Sequence, residues 1–211
     1  TSTSISSPTW TAAIPAGVGS KGAIPTLGRA EERQMLGRGA AWAVARGFGR
    51  ASDLEATEEG GCLAGADPDA VSDTALERGR PQVGTLGSGN HFLEVQRVDA
   101  VYDAPAAAAL GVHEGQLTVM IHSGSRGLGY QVCDDALRVM GAAMGRYGIH
   151  VPDRQLACVP LRSAEGQVYL GAMAAAANFA WTNRQVMTGL AEQAFATALG
   201  VGPATLGFGL V

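Results

Sequence analysis

The alternation of apolar and polar positions marks two strands. In FLEVQRV, residues 92–98, Phe92 and Glu94 fall on one side and Leu93 and Val95 on the other, the period of two expected of a strand. LTVMIH, residues 117–122, is a β-branched apolar strand that ends on a histidine. Helical spacing replaces alternation elsewhere. Residues 29–47 carry Met35, Leu36, Trp42, Ala43 and Val44 among charges, which predicts one amphipathic helix despite Gly37 and Gly39. A short helix is expected through 75–78, and residues 131–147 place Val132, Leu137, Met140 and Met144 at helical intervals. The alanine-rich run 168–199 has high helix propensity throughout, with an interruption at Gly189 and a stop at Gly200, Gly202 and Pro203. Two strands beside glycine loops and at least three helices, in mixed order, predict an α+β fold rather than a regular βαβ repeat.

The segments between these elements read as loops. Around Ile14, Pro15 fixes one dihedral while Gly17, Gly19 and Gly22 allow positive φ and close backbone approach, which suits either a surface loop or a contact. Residues 53–73 carry Asp53, Glu55, Glu58, Glu59, Asp67, Asp69 and Asp73 without the spacing of a calcium loop, and read as a solvated loop. Residues 151–161 read as a connection with room for a short strand. Residues 1–10 are Ser/Thr-rich and aperiodic, and 1–13 are read as a disordered tail or scar.

Composition narrows the class. The chain has 211 residues, 46% hydrophobic and 16% charged, enough to bury a real core. A formal charge of -4 argues against broad attraction to phosphate backbones, though not against a local basic pocket. No run approaches the ~18 apolar residues of a membrane helix, and no signal peptide opens the chain, so a soluble cytoplasmic protein is expected. Cys62, Cys133 and Cys158 lack C-x-x-C spacing, which argues against a disulfide framework. Cys133 and Cys158 read as buried small apolar residues. Cys62 has no nearby cation to activate it.

The chemistry concentrates in two segments, GTLGSGNHFLEVQ at 84–96 and HSGSRGLG at 122–129. Each sets a histidine beside a turn of small residues, and His91 and His122 are candidate metal ligands on a rigid turn and a strand end. His113 and His150 sit in turn-like text and are expected to be exposed. GTLGSG is not a dinucleotide fingerprint, because its spacing is G-x-x-G-x-G and a strand follows it. In HSGSRGLG a strand, a glycine turn and a helix could cradle an anion, with Arg126 adding a charged partner. The competing reading is a tight structural turn with an exposed arginine. Asn90 either caps its turn or orients a phosphate oxygen.

Together GTLGSGNHFLEVQ, HSGSRGLG, EEGGCLAGADP, PDRQLAC and AMAAAANFAWTNRQ, in that set, resemble the RtcB-type RNA-splicing ligases. The resemblance runs from about Ile14 to Val211, which makes 14–211 the central part of a single RtcB-like catalytic domain. Such ligases join an RNA end bearing a 2′,3′-cyclic phosphate or 3′-phosphate to a 5′-hydroxyl end, in tRNA splicing and RNA repair, using GTP and manganese through a guanylylated histidine. The resemblance implies that His91 and His122 each bind one of two manganese ions, that Asn90 contacts the guanylate or its phosphates, and that Phe92 and Glu94 approach the guanosine. It also implies that Arg126 and Arg78 hold the RNA phosphate, a task suited to planar guanidinium groups. RNA, as tRNA halves or broken strands, is the expected partner, with no DNA and no membrane.

The resemblance also calls for an aspartate and a bridging cysteine before Ile14, and for a further ligand histidine and the guanylylated histidine after Val211. The chain is therefore expected to be a fragment, inactive alone. Alternative readings are a phosphate- or nucleotide-binding module without catalysis, and a structural piece whose core needs other segments to close.

Overall fold

The computed structural model describes residues 13–211, so all of the expected tail at 1–13 except Ala13 lies outside the described residues. The fold is α+β. Among the described residues there are seven α-helices and one two-stranded antiparallel sheet. The helices are α1 (Arg29–Arg38), α2 (Ala40–Val44), α3 (Ala51–Glu55), α4 (Asp73–Gly79), α5 (Ala104–Ala109), α6 (Arg126–Ala143) and α7 (Ala164–Leu199). The strands are β1 (Phe92–Arg97) and β2 (Leu117–His122).

The 36-residue α7 organises the rest. At 1.5 Å per residue it runs roughly 54 Å. Ser163 caps its start by accepting from the Gly166 N–H, and Gly200 closes its end in the left-handed conformation at φ 67. Its middle is buried on every side, as expected of a helix apolar all round. Phe179, Val186, Ala175 and Ala176 form one core with Met35, Leu36, Trp42, Leu76, Val83, Leu128 and Val132. Gly189 does not interrupt the helix as expected. A side chain there would come within 2.9 Å of Phe48 Cα, so the glycine serves packing rather than termination.

Three buried amides of α7 pin the chain around it. Asn178 accepts from the Leu63 N–H at 2.8 Å and donates to the Leu36 carbonyl at 2.8 Å. Gln185 donates to the Phe48 carbonyl at 3.0 Å and to Asp53 Oδ2 at 2.8 Å. Asn183 holds the two candidate segments, as described below.

Several sequence expectations are corrected. The helix expected over 29–47 splits at Gly39, whose φ of 54 and ψ of -140 are non-helical and whose bare Cα lies against the Gly61 carbonyl. Asp53 is not part of a solvated loop: it is buried, and its Oδ2 also accepts the Arg50 N–H at 2.9 Å. The other six carboxylates of that run are exposed. Helix α6 begins at Arg126, five residues earlier than expected, so the RGLG of GSRGLG forms its first turn and only Gly124 and Ser125 of that segment remain in the link from β2. Cys133 and Cys158 are exposed, not buried, because Cys133 lies on the outer side of α6, away from buried Leu128, Val132 and Met140, and Cys158 lies in the extended link before α7. Residues 151–161 hold a 3-10 turn, Arg154–Leu156, and no strand. Helix α5, capped by Asp103 accepting the Ala106 N–H, sits unanticipated between β1 and β2.

The sheet pairs Phe92 with His122, Leu93 with Ile121 and Glu94 with Met120, through to Arg97 with Leu117. Leu93 and Ile121 pack against Ile14, Met187 and Ala191, which docks one face of the hairpin on α7. The opposite face carries Phe92 and His122.

Candidate active site

The segment before β1 is anchored from beneath. Asn183 Oδ1 accepts the Gly84 and Thr85 N–H groups at 2.7 and 3.1 Å. Its Nδ2 donates to the Thr85 carbonyl, Ser123 Oγ and the Gly124 carbonyl at 3.1, 3.2 and 3.1 Å. One fully buried amide thus ties both glycine-rich segments together. Ser123 adds a direct link, donating to the Leu86 carbonyl at 2.8 Å. The loop around Ile14 is a contact: the Leu86 N–H donates to the Pro15 carbonyl at 3.0 Å and the Gly17 N–H to the Gly87 carbonyl at 2.6 Å.

On this frame the two histidines meet. His122, the last residue of β2, sets its ring edge to face with Phe92 at 5.1 Å between centroids and with His91 at 6.0 Å. His91 Nδ1 is buried without a hydrogen-bond partner. His113 and His150 are exposed, as expected.

Arg126 joins them through Gly87. With φ at +103, a side chain on Gly87 would overlap the Arg126 guanidinium and lie 2.7 Å from His91 Nδ1. Arg126 Nε donates to Thr85 Oγ1 at 3.2 Å and Nη2 to Ser20 Oγ at 3.4 Å. Burial draws its pKa below the usual arginine value. Its own φ is +54, uncommon for a residue with a side chain and a form of strain that accumulates at functional sites. The expected anion cradle is narrower than the sequence implied, because the Gly127 N–H is already bonded to Gln82 Oε1 at 2.9 Å. Any anion here is therefore held chiefly by the Arg126 side chain.

The remaining candidates lie at the margin. Asn90 is exposed in the turn before β1, and Glu94 is exposed on the face of Phe92, accepting from Gln96 Nε2 at 2.9 Å. Arg78 is exposed on α4, its guanidinium 6.0 Å from the Tyr130 ring centroid. Its ring contact is with Tyr130 and not with either histidine.

Among the described residues no group of three or more His, Cys, Asp or Glu side chains is placed to hold a metal ion. The histidine pair fits a divalent ion in part. A metal bound through an imidazole nitrogen stands roughly 3 Å from the ring centre, so rings 6.0 Å apart can serve one ion or two adjacent ions.

A family model described as tRNA-splicing ligase RtcB matches residues 7–211. The chain belongs to the RtcB family. It is 53% identical over 199 residues to the tRNA-splicing ligase RtcB of Archaeoglobus fulgidus, covering 94% of this chain and 41% of that protein. It is 57% identical over 188 residues to the RNA-splicing ligase RtcB of Mycobacterium tuberculosis, covering 89% of this chain and 44% of the relative. With the tRNA-splicing ligase RtcB of Thermococcus kodakarensis the identity is 55% over 182 residues, 86% of this chain and 38% of the relative. The chain thus spans about two fifths of the length of these RtcB relatives.

Two site residues escaped the sequence reading. Asn183 and Arg184 stand in the quoted stretch WTNRQ, yet the alanine-rich run around them was read only for helix propensity. The usable signal was an amide and a cation inside an otherwise apolar helix, where a polar group needs a partner. Gly87 was likewise one of several glycines until its neighbours were placed.

Proposed function

We propose that this chain supplies part of the active site of an RNA ligase that joins a 2′,3′-cyclic phosphate or 3′-phosphate RNA end to a 5′-hydroxyl end, with GTP and manganese as cofactors. The meeting of Arg126 and His91 at Gly87, with the His122 ring 6.0 Å from that of His91, carries this reading within the RtcB family. Arg126 has no carboxylate among the described residues to neutralise it, so its free N–H groups can take the terminal phosphate of the RNA as charge-assisted bonds. Its ties to Thr85 and Ser20 fix the guanidinium before the phosphate arrives, which saves ordering cost on binding.

His91 and His122 would each give one imidazole to manganese, and Phe92 holds the His122 ring in place across the strand pair. Manganese, when bound, would neutralise and align phosphate oxygens. Asn90 and Glu94 face solvent and, with Phe92, would meet the guanylate and guanosine, while the exposed Arg78 would offer a peripheral cation for the RNA backbone. No helix among the described residues is long and apolar enough to cross a membrane. Cytoplasmic residence and tRNA halves or broken RNA as substrates belong to the same proposal.

Fluorescence anisotropy with a short RNA ending in a 3′-phosphate or a 3′-hydroxyl tests it. The 3′-phosphate strand should bind more tightly, and Arg126→Ala should remove about tenfold or more of that affinity. Equal binding of the two strands contradicts the reading. A phosphate preference indifferent to manganese favours a binding module without catalysis.

A further inference from the structure

Arg184 is the second arginine withdrawn from solvent without a carboxylate partner among the described residues. Arg80, also withdrawn, pairs with Glu32 at 2.9 Å, and Arg33 pairs with Asp69. Arg184 instead donates from Nη1 to the Ser123 carbonyl at 3.1 Å. Burial lowers its pKa, which reports an unfavourable environment for the charge. Ser123 directly follows His122 at the end of β2. Anchoring the loop does not by itself require a half-buried cation, since the neutral amide of Asn183 already holds the Gly124 carbonyl and Ser123 Oγ.

We propose that Arg184 is a positioning residue for His122: from the middle of α7 it grips the Ser123 carbonyl, in the second peptide bond beyond the histidine, and so sets the orientation in which the ring meets Phe92 and His91. The significance of that ring rests on the metal-ligand reading above. His122 is fixed on its strand side by pairing with Phe92, and the carbonyl held by Arg184 lies on its other side, where the chain leaves the sheet. The two restraints bracket the backbone at His122 from both sides. The bond needs one N–H donor held at arginine's reach from a carbonyl, so a lysine, whose ammonium extends nearly as far, can replace it while the apolar methionine cannot.

The test is histidine-ring NMR of the full 211-residue chain, metal-free and then titrated with Mn2+, for the wild type, Arg184→Met and Arg184→Lys. In Arg184→Met the His122 ring signals should move or split, those of exposed His113 and His150 should stay, and the Mn2+ concentration that half-broadens His122 should rise about tenfold. Arg184→Lys should keep the His122 signals near their wild-type positions. Unmoved His122 signals in Arg184→Met overturn the proposal. So do displaced His122 signals in folded Arg184→Lys, which decides the matter if Arg184→Met does not fold. If Mn2+ broadens neither His91 nor His122 in the wild type, the metal-ligand reading fails, and the metal-free signals still judge Arg184.

Discussion

The Arg126 guanidinium and the buried Nδ1 of His91 approach the same bare Cα of Gly87, so a cation and a candidate ligand from separate segments share one gap that only glycine leaves open. Neither side chain could keep its place beside a Cβ.

Gly87→Ala should therefore do double damage. The backbone at φ +103 disfavours any L side chain, and the new methyl displaces Arg126 and His91. Stability should fall by about 2 kcal/mol in denaturant unfolding, and preference for 3′-phosphorylated RNA should disappear. Wild-type stability with intact binding would contradict the geometry.

Arg126 is held at φ +54, which separates its backbone cost from its side-chain role. Arg126→Gly and Arg126→Ala both delete the guanidinium, so both should lose phosphate binding. The glycine variant should nevertheless be more stable by about 1 kcal/mol, because it adopts this conformation without penalty. Equal unfolding midpoints for the two variants would count against the strain.

Asn183→Ala should be among the most harmful changes in the chain. It strips acceptors from the buried Gly84 and Thr85 N–H groups and donors from the Thr85 and Gly124 carbonyls. A loss of about 3–5 kcal/mol is expected by urea denaturation, with the segments at Gly84 and Ser123 losing amide-exchange protection first. A loss under about 1 kcal/mol would show that the amide is not the link between them.

The fold was legible where local pattern and local structure agree. The alternation in FLEVQRV and the β-branched LTVMIH located β1 and β2, and the spacing of Val132 and Met140 located the inner face of α6. It was illegible where a distant contact decides. Gly189 reads as a helix breaker until Phe48 is seen to need the space, and Asp53 reads as solvent-facing until Gln185 arrives from far along the chain. The site divides in the same way. His91, His122 and Arg126 announce themselves by residue type and neighbouring glycines, whereas Asn183 and Arg184 act through backbone carbonyls and amides that no pattern of side chains reveals.

Glu32 gives a pH signature away from the site. Burial raises its carboxyl above the usual range, with the Arg80 hydrogen bond opposing. A carboxyl raised in the folded state contributes stability fully present below its unfolded value, about 4.3, and lost as pH rises through the folded value. The stability of the wild type relative to Glu32→Gln should therefore decline as pH climbs above about 4.3, Arg80 staying charged throughout. A difference that is flat or grows over that range would contradict the shift.

His91 and His122, brought together by the two glycine-rich segments, are the proposed metal ligands. Calorimetric titration of Mn2+ into the full chain, beside the His91→Ala, His122→Ala double variant, tests that assignment most directly. Saturable binding in the wild type, lost or weakened by about tenfold or more in the variant, is the predicted result. Indistinguishable titrations for the two proteins would contradict it.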